Sequence, residues 1–311
     1  MLTHLIILLD DTSVSYCHYD VTKTERRLID LDVLKDAIVW GMKENLNIQF
    51  VYPDYELPEE YRTTVETIDN TKIKPLCQAE DADVLVLNGW DDVVPQSSTC
   101  ILRTTRKDLD DHLPEVNGWL GKAARLNIVL TDMDEFSDDD IEDYKVTLDV
   151  IAGFLAEHYS QQHSVQLNLL TDRIFLTKMN NCDAGAANVT LAPNGKFYLC
   201  PAFYYADEED CIGDLHTGLD IKNQQLLRLD HAPICRHCDA YQCRRCIWMN
   251  SLLTLDSNSP SHQQCVVAHL ERNASRVLLM KLEKYGLQIS NSQPIEEMKE
   301  LDPFNSVNRW K

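Results

Sequence analysis

The chain has 311 residues, enough to form one large domain or two smaller ones. Its 50 acidic and 29 basic residues leave a formal net charge of −21, and such a surface repels nucleic-acid phosphates and anionic lipid headgroups. We therefore expect no nucleic acid and no membrane as a partner. The longest early apolar run, Leu5 to Leu9, is far shorter than the ~20 residues that cross a bilayer.

The first half of the chain alternates between strand-like and helical patterns. The predicted strands are His4–Leu9, Asn47–Tyr52, Val84–Leu87, Asn127–Leu130 and Gln166–Leu170. The predicted helices are 31–46, with Met42 on its packing stripe, and 138–161, which begins with three aspartates that suit a helix dipole. Alternation of this kind predicts an α/β fold with a mainly parallel sheet.

The composition changes near Asn180. Eight of the eleven cysteines fall within residues 182–265, where a hairpin is predicted around Asn194-Gly195. A final helix, 262–285, carries Cys265 near its start, and a short helix and a loose tail are expected after it. The N-terminus has no signal-peptide pattern, so we expect a cytoplasmic protein, in which clustered cysteines more often hold metal than form disulfides.

The spacing of the cysteines indicates the kind of metal. Only Asp239–Gln242 separate the pairs Cys235-x2-Cys238 and Cys243-x2-Cys246, whereas a zinc ribbon places roughly 15–20 residues between its two pairs. Four thiolates this close in sequence would surround one Zn²⁺ only under strain, and dividing the last two between two centres removes the difficulty. The spacing therefore favours iron–sulfur clusters. Structural zinc, and disulfides or free buried thiols, remain as alternatives.

This pattern resembles the SPASM domain, the auxiliary-cluster module that follows the catalytic barrel of many radical-SAM peptide-modifying enzymes. The resemblance covers residues 182–265 and departs from the family where x4 and x2 replace its usual x5 and x3 around Cys243 and Cys246. It implies one or two [4Fe–4S] clusters. The implied ligands are Cys235, Cys238, Cys243 and Cys265 for one cluster, and Cys182, Cys200 and Cys246 for the other.

The second implied cluster is one ligand short. The family's fourth ligand lies a few residues before the first cysteine, and residues 177–181 contain no cysteine. Three alternatives stay open: Cys211 substitutes, the site is open to a substrate thiolate, or the second cluster is absent and its cysteines bind something else.

A SPASM domain usually follows a radical-SAM barrel, whose motif C-x3-C-x2-C stands in the loop after the first strand. In the corresponding loop here, Cys17 is present but Asp10 and Val14 occupy the two other cysteine positions. Residues 54–58 (DYELP) stand where the family has a Gly-Gly-Glu-Pro element for the cofactor's amino group. We therefore do not expect S-adenosylmethionine as a cofactor, and we interpret Cys17, like Cys77 and Cys100, as a small buried hydrophobe.

The whole chain resembles the CXXX repeat peptide maturase family. The resemblance rests on the opening LIILLDDTSVSYCHY and on the later CDAG and PNGKFYLCP. It implies a degenerate radical-SAM-like partial (β/α) barrel in residues 1–176, a small loop-rich SPASM domain in 177–268, and a C-terminal helix and tail in 269–311. The implied function is auxiliary maturation of ribosomally made Cys-x-x-x repeat peptides with a radical-SAM partner enzyme.

Two alternatives to this function stay open. The chain could be a self-sufficient iron–sulfur enzyme that binds substrate cysteine at an open cluster site, or a protein whose zinc only holds the fold. Catalytic residues are not assigned. His231, His237 and His262 lie near the cysteines, with His237 expected to face solvent, and Arg245 is one of three arginines that could neutralise an anionic cluster.

Overall fold

The computed structural model describes residues 1–289 and 292–303. Within them lie eleven strands and nine α-helices, joined by loops and short 3-10 turns. The strands are β1 (His4–Leu8), β2 (Asn47–Val51), β3 (Thr71–Pro75), β4 (Val84–Val86), β5 (Thr99–Thr104), β6 (Arg125–Leu130), β7 (Gln166–Leu167), β8 (Asn188–Leu191), β9 (Phe197–Tyr198), β10 (Gly213–Asp214) and β11 (Gly218–Leu219). The helices are α1 (Leu31–Lys43), α2 (Glu59–Val65), α3 (Arg106–Asp111), α4 (Leu113–Leu120), α5 (Asp138–Ser160), α6 (Thr171–Phe175), α7 (Pro201–Ala206), α8 (Ile247–Thr254) and α9 (His262–Lys284).

The chain divides into two compact units. The first contains residues 1–88 and 182–232, and the second contains residues 89–181 and those from 233 onward. Each unit takes one segment from the first half of the chain and one from the cysteine-rich half. The predicted modules 1–176, 177–268 and 269–311 stay a prediction, because compactness alone does not test them.

The first unit is built on parallel strands in the order β4-β3-β2-β1-β8, with β9 antiparallel at the edge. The apolar strand β1 is central, because β2 pairs with it on one side and β8 on the other. Its Leu5 and Ile7 are fully buried. The β8–β9 hairpin turns at Asn194-Gly195, where Gly195 has a φ of +77°, a conformation that glycine adopts without strain.

Helix α1 covers this sheet. Asp30 caps it by accepting hydrogen bonds from the backbone N–H groups of Asp32 and Val33. Its buried face includes Leu34 and Ile38, which join the core of the first unit. The predicted place of Met42 on this face was wrong: its side chain is 60% exposed, because Gly41 takes the inward position in the last turn of the helix.

The second unit combines the parallel strands β5-β6-β7 with two long helices, α5 and α9, that pack on each other. Capping boxes set the start of both helices: Ser137 pairs with Asp140, and Ser261 pairs with Gln264. Across the helix pair, the buried hydroxyl of Tyr144 donates to Glu271 at 2.9 Å.

No helix in the described part of the chain is both long enough and apolar enough to span a bilayer. Between residues 286 and 303, the positions that the structure describes contain no helix. The short helix predicted after the last long one is therefore absent from them, and the predicted tail over residues 304–311 lies outside the described residues.

Candidate metal centre

Four cysteines of the second unit lie close enough to interact electrostatically with one another. Cys235 begins a 3-10 turn, Cys238 follows that turn, and Cys243 lies in the next loop. Cys265 comes from the first turn of α9, whose start is held by the capping box at Ser261. Cys235 and Cys265 are buried, whereas Cys238 and Cys243 are partly exposed. We call these four residues the four-thiol pocket.

The four thiols interact electrostatically with one another. Burial raises the pKa of each, to about 12 for Cys243, and the other thiols in the pocket raise the pKa of Cys265 further. Neighbouring thiols that stay protonated gain nothing from their proximity, whereas a bound cation lowers thiol pKa values and makes the thiols ligands. These four residues are therefore the candidates for thiolate ligands of a metal group in this unit.

Hydrogen-bond donors surround these sulfurs. The backbone N–H of Ala240 donates to Cys238 Sγ at 3.4 Å, and the backbone N–H of Arg245 donates to Cys243 Sγ at 3.5 Å. The Arg245 side chain, only 3% exposed, hydrogen-bonds Cys235 and is anchored by Asn258. Burial of a guanidinium is costly without an anionic partner. This donor set therefore fits an anionic iron–sulfur cluster, whose sulfurs accept such bonds.

A histidine missed in the sequence also contacts the pocket. His269 Nε2 lies 3.4 Å from Cys238 Sγ, while its Nδ1 hydrogen-bonds the carbonyl of Leu301. The sequence did indicate this contact, because His269 follows Cys265 by four residues and therefore lies on the same face of the helix. Of the histidines considered from sequence, His237 is exposed as expected, and His262 pairs with Asp302 at 2.9 Å.

An ion-pair network fixes the turn that carries Cys238. The Asp239 carboxylate accepts two hydrogen bonds from Arg272, at 2.6 and 2.8 Å, and one from Arg173 at 3.0 Å. Arg173 also stacks over the Tyr241 ring, 4.5 Å from its centroid. These arginines come from α6 and α9, so the turn is tied to both helices.

The remaining predicted ligands are divided between the units. Cys182 lies in an exposed loop, Cys200 precedes α7, and Cys211 follows it, all in the first unit. Cys246 precedes α8 in the second unit. Across the residues described, no three or more His, Cys, Asp or Glu side chains are arranged to hold a metal ion. The assignment of seven ligand cysteines therefore stays a prediction.

Hydrogen bonds to the carboxylate of Asp10 organise the loop after β1. The fully buried Asp10 carboxylate accepts from the Thr12 backbone N–H at 2.8 Å, the Thr12 hydroxyl at 2.7 Å and the Tyr55 hydroxyl at 2.8 Å. Tyr55 belongs to the segment that stands in place of the glycine-rich element. A hydrogen-bonded carboxylate thus occupies the position predicted from the sequence to correspond to the first cysteine of the radical-SAM motif.

The architecture of this chain is similar to that of solved structures. The chain is similar to the anaerobic sulfatase-maturating radical-SAM enzyme anSMEcpe with bound AdoMet, with a TM-score of 0.61 at 12% identity over 92% of this chain and 96% of that one. The fold is similar to that of this radical-SAM enzyme. Two further structures of anSMEcpe, with AdoMet and the Cp18Cys or Kp18Cys peptide, give TM-scores of 0.58 and 0.57 at 12% identity, over 91% and 90% of this chain and 99% of each of those.

The predicted radical-SAM-like α/β architecture is thereby confirmed at the level of the fold. No protein-family model and no curated protein matches the chain. The SPASM domain, its clusters and the resemblance to CXXX repeat peptide maturases stay predictions.

Proposed function

We propose that this chain is an auxiliary protein of peptide maturation that acts through an iron–sulfur site of the SPASM type. Its substrate would be a ribosomally made Cys-x-x-x repeat peptide, and its partner a radical-SAM enzyme. The fold supports a role in peptide modification, since two of the similar anSMEcpe structures contain a bound peptide. The cysteine spacing supports the cluster type.

The four-thiol pocket is the observation that carries this proposal. Cys235, Cys238, Cys243 and Cys265 would hold one [4Fe–4S] cluster, which when bound supplies one-electron transfer. Arg245 would offset its negative charge, and the N–H groups of Ala240 and Arg245 would bond the ligand sulfurs. The predicted second cluster on Cys182, Cys200 and Cys246 belongs to the same proposal.

The loop after β1 supports an auxiliary role over standard radical chemistry. Asp10 is engaged by three hydrogen bonds from Thr12 and Tyr55, and Val14 offers no metal-binding atom. Only Cys17 of the three motif positions can bind iron through a thiolate. A radical would therefore have to be generated by the partner enzyme.

Anaerobic reconstitution with iron and sulfide tests the metal. We expect a brown protein whose iron and sulfide contents are about equal, and we expect Cys243→Ser to lose the cluster of the four-thiol pocket. Cys77, which was expected to be a buried hydrophobe, is instead exposed and belongs to neither ligand set, so Cys77→Ser is the matched control. Tight binding of zinc, with no iron and no visible absorbance, would contradict the proposal and support the structural-zinc alternative.

Two assays test the proposed auxiliary role in peptide maturation. Incubation of the reconstituted protein with S-adenosylmethionine and reductant should yield no 5′-deoxyadenosine; its appearance would instead support a self-sufficient enzyme. A synthetic Cys-x-x-x repeat peptide should bind the reconstituted protein in fluorescence anisotropy, and a control peptide with serine in place of cysteine shows whether the thiols are recognised. Equal failure of both peptides to bind, with and without the partner enzyme, would refute the peptide role.

A further inference from the structure

The last described segment of the chain folds back along helix α9. We call residues 295–303 the C-terminal strap, and none of them lies in a helix or strand. The Ile295 side chain is only 6% exposed, and Met298 and Leu301 are half-buried. The strap residues between these three are exposed, namely Glu296, Glu297, Lys299 and Glu300. Up to Leu301, every third residue therefore faces the protein, and the residues between them face solvent.

Side chains of α9 bind the backbone of the strap. The Asn273 amide makes two hydrogen bonds to Met298: its Nδ2 donates to the carbonyl at 2.7 Å, and its Oδ1 accepts from the backbone N–H at 2.9 Å. Arg272 Nη1 donates to the Glu296 carbonyl at 2.5 Å. A side chain that satisfies both backbone groups of one residue holds that residue in place. The middle of the strap is therefore attached to α9 through its backbone.

The end of the strap crosses the part of α9 that carries Cys265. His269 Nδ1 hydrogen-bonds the Leu301 carbonyl, and His262 Nδ1 lies 2.9 Å from Asp302 Oδ2. The two histidines are seven residues apart, which is about two helical turns, so they lie on one face of α9. Cys265 stands between them on that face. A strap that contacts both histidines passes over the helix surface at this thiol.

His269 connects the strap to a second thiol of the four-thiol pocket. A carbonyl oxygen only accepts hydrogen bonds, so the Nδ1 that bonds Leu301 carries a proton. The other ring nitrogen, Nε2, lies 3.4 Å from Cys238 Sγ. One imidazole thus contacts the strap on one side and a sulfur on the other. The position of the strap is therefore linked to two of the four thiols.

We propose that the C-terminal strap is a cover that closes over the four-thiol pocket and controls the access of reagents and metal donors to Cys265. Of the strap residues, all of which the structure describes, Ile295 alone is buried. Release of the strap would expose little apolar surface, so it can open while α9 stays folded. The inference goes beyond the function proposed above, because a cover shields the thiols whichever metal they bind.

Two full-chain variants test the cover by thiol labelling. Asn273→Ala combined with Asp302→Ala removes both hydrogen bonds to Met298 and the contact with His262. Met280→Ala is the matched control, since Met280 is 46% exposed on the same helix, seven residues past Asn273. Reduced, metal-free protein is treated with iodoacetamide at mildly alkaline pH, and peptide mass spectrometry gives the rate at each cysteine.

We expect the double variant to label Cys265 about tenfold faster or more than wild type, because three lost contacts favour the open strap. The control should label it at the wild-type rate. Two cysteines serve as internal references: Cys77 is exposed and should react equally in every protein, and Cys100 is fully buried in β5 and should stay unmodified. An unchanged rate at Cys265 overturns the inference. So does faster labelling of Cys265 and Cys100 together, since the strap would then be a part of the fold that cannot open separately.

Labelling of wild type in increasing urea gives a test that needs no variant. If the strap opens locally, Cys265 should react at urea concentrations below those at which Cys100 reacts. Reaction of both thiols over the same range of urea would overturn the inference. Because all these measurements use metal-free protein, they give the same answer whether or not iron binds. Failure of the cover and failure of the proposed iron–sulfur site are therefore distinguishable.

Discussion

Replacing Asp239 by asparagine should destabilise the second unit. Asp239 is the shared anion of Arg272 and Arg173, whose side chains are each only 7% exposed. Asparagine keeps one oxygen but turns an NH₂ group towards a guanidinium. Removing one partner of a buried ion pair costs about 3–5 kcal/mol; because the Asp239 side chain is 37% exposed, we expect about 2–3 kcal/mol.

The effect should depend on pH. Hydrogen bonding by Arg272, the largest cause, lowers the pKa of Asp239 below its usual value. A carboxyl group whose pKa is depressed in the folded state stabilises it above the unfolded pKa, about 3.9, and this contribution disappears as the pH falls through the folded value. The difference between wild type and Asp239→Asn should therefore be full at pH 7 and shrink below pH 4.

Urea unfolding followed by circular dichroism at several pH values measures this difference. Asp230→Asn is the matched control, since Asp230 also pairs with an arginine, Arg228, but both side chains are more than half exposed. We expect a much smaller loss for the control, because water screens an exposed ion pair. A loss for Asp239→Asn no larger than that of the control, or one that does not change with pH, would refute the reasoning.

Three further predictions concern single residues. Arg245→Gln should keep the iron but make the reduction potential of the proposed four-thiol cluster more negative, because a positive charge near the cluster is removed. The expected shift is on the order of 60 mV, a tenfold change in the equilibrium constant, and a redox titration measures it. An unchanged potential would show that Arg245 does not act on the cluster. Burial raises the pKa of Glu271 to about 8, so the folded state holds this proton more tightly than the unfolded chain and loses stability as the pH rises from about 4.5 to about 8. Glu271→Gln should remove that part of the pH dependence in urea unfolding, and identical profiles would contradict the shift. Leu255 is 90% exposed, and its φ of 57° is a left-handed conformation that strains leucine but not glycine. Leu255→Gly should therefore raise the free energy of unfolding by about 0.5–1 kcal/mol, as measured by thermal melts. A lower melting temperature would contradict strain at this position.

The long elements of the fold were predictable because their apolar periodicity is strong. The predicted strand 4–9 and helix 138–161 end within one residue of β1 and α5. Strand β3 was missed, since its sequence TKIKP alternates lysines with few apolar residues and takes its place only by pairing with β2 and β4. Tertiary pairing of this kind is invisible to local patterns.

The candidate site was predictable as far as spacing determines it. The grouping of Cys235, Cys238, Cys243 and Cys265 followed from a family pattern; the structure links these four thiols by electrostatic interaction, and their role as metal ligands stays a prediction. The ion-pair network around Asp239 did not follow, because Arg173 and Arg272 lie 66 and 33 residues from it along the chain. Only the folding of α6 and α9 beside this turn brings the three side chains together.

The placement of Cys265 on α9 has a consequence for biogenesis. Helix α9 is held by α5 and by the bond from Ser275 to the Leu170 carbonyl, so this thiol has a fixed position as soon as the two helices dock. The three other thiols of the pocket lie in turns, whose ordering costs conformational entropy that a bound cluster would offset. We expect delivery to begin at Cys265, with the turns closing afterwards, so that damage to the helix pair far from any sulfur would slow cofactor insertion.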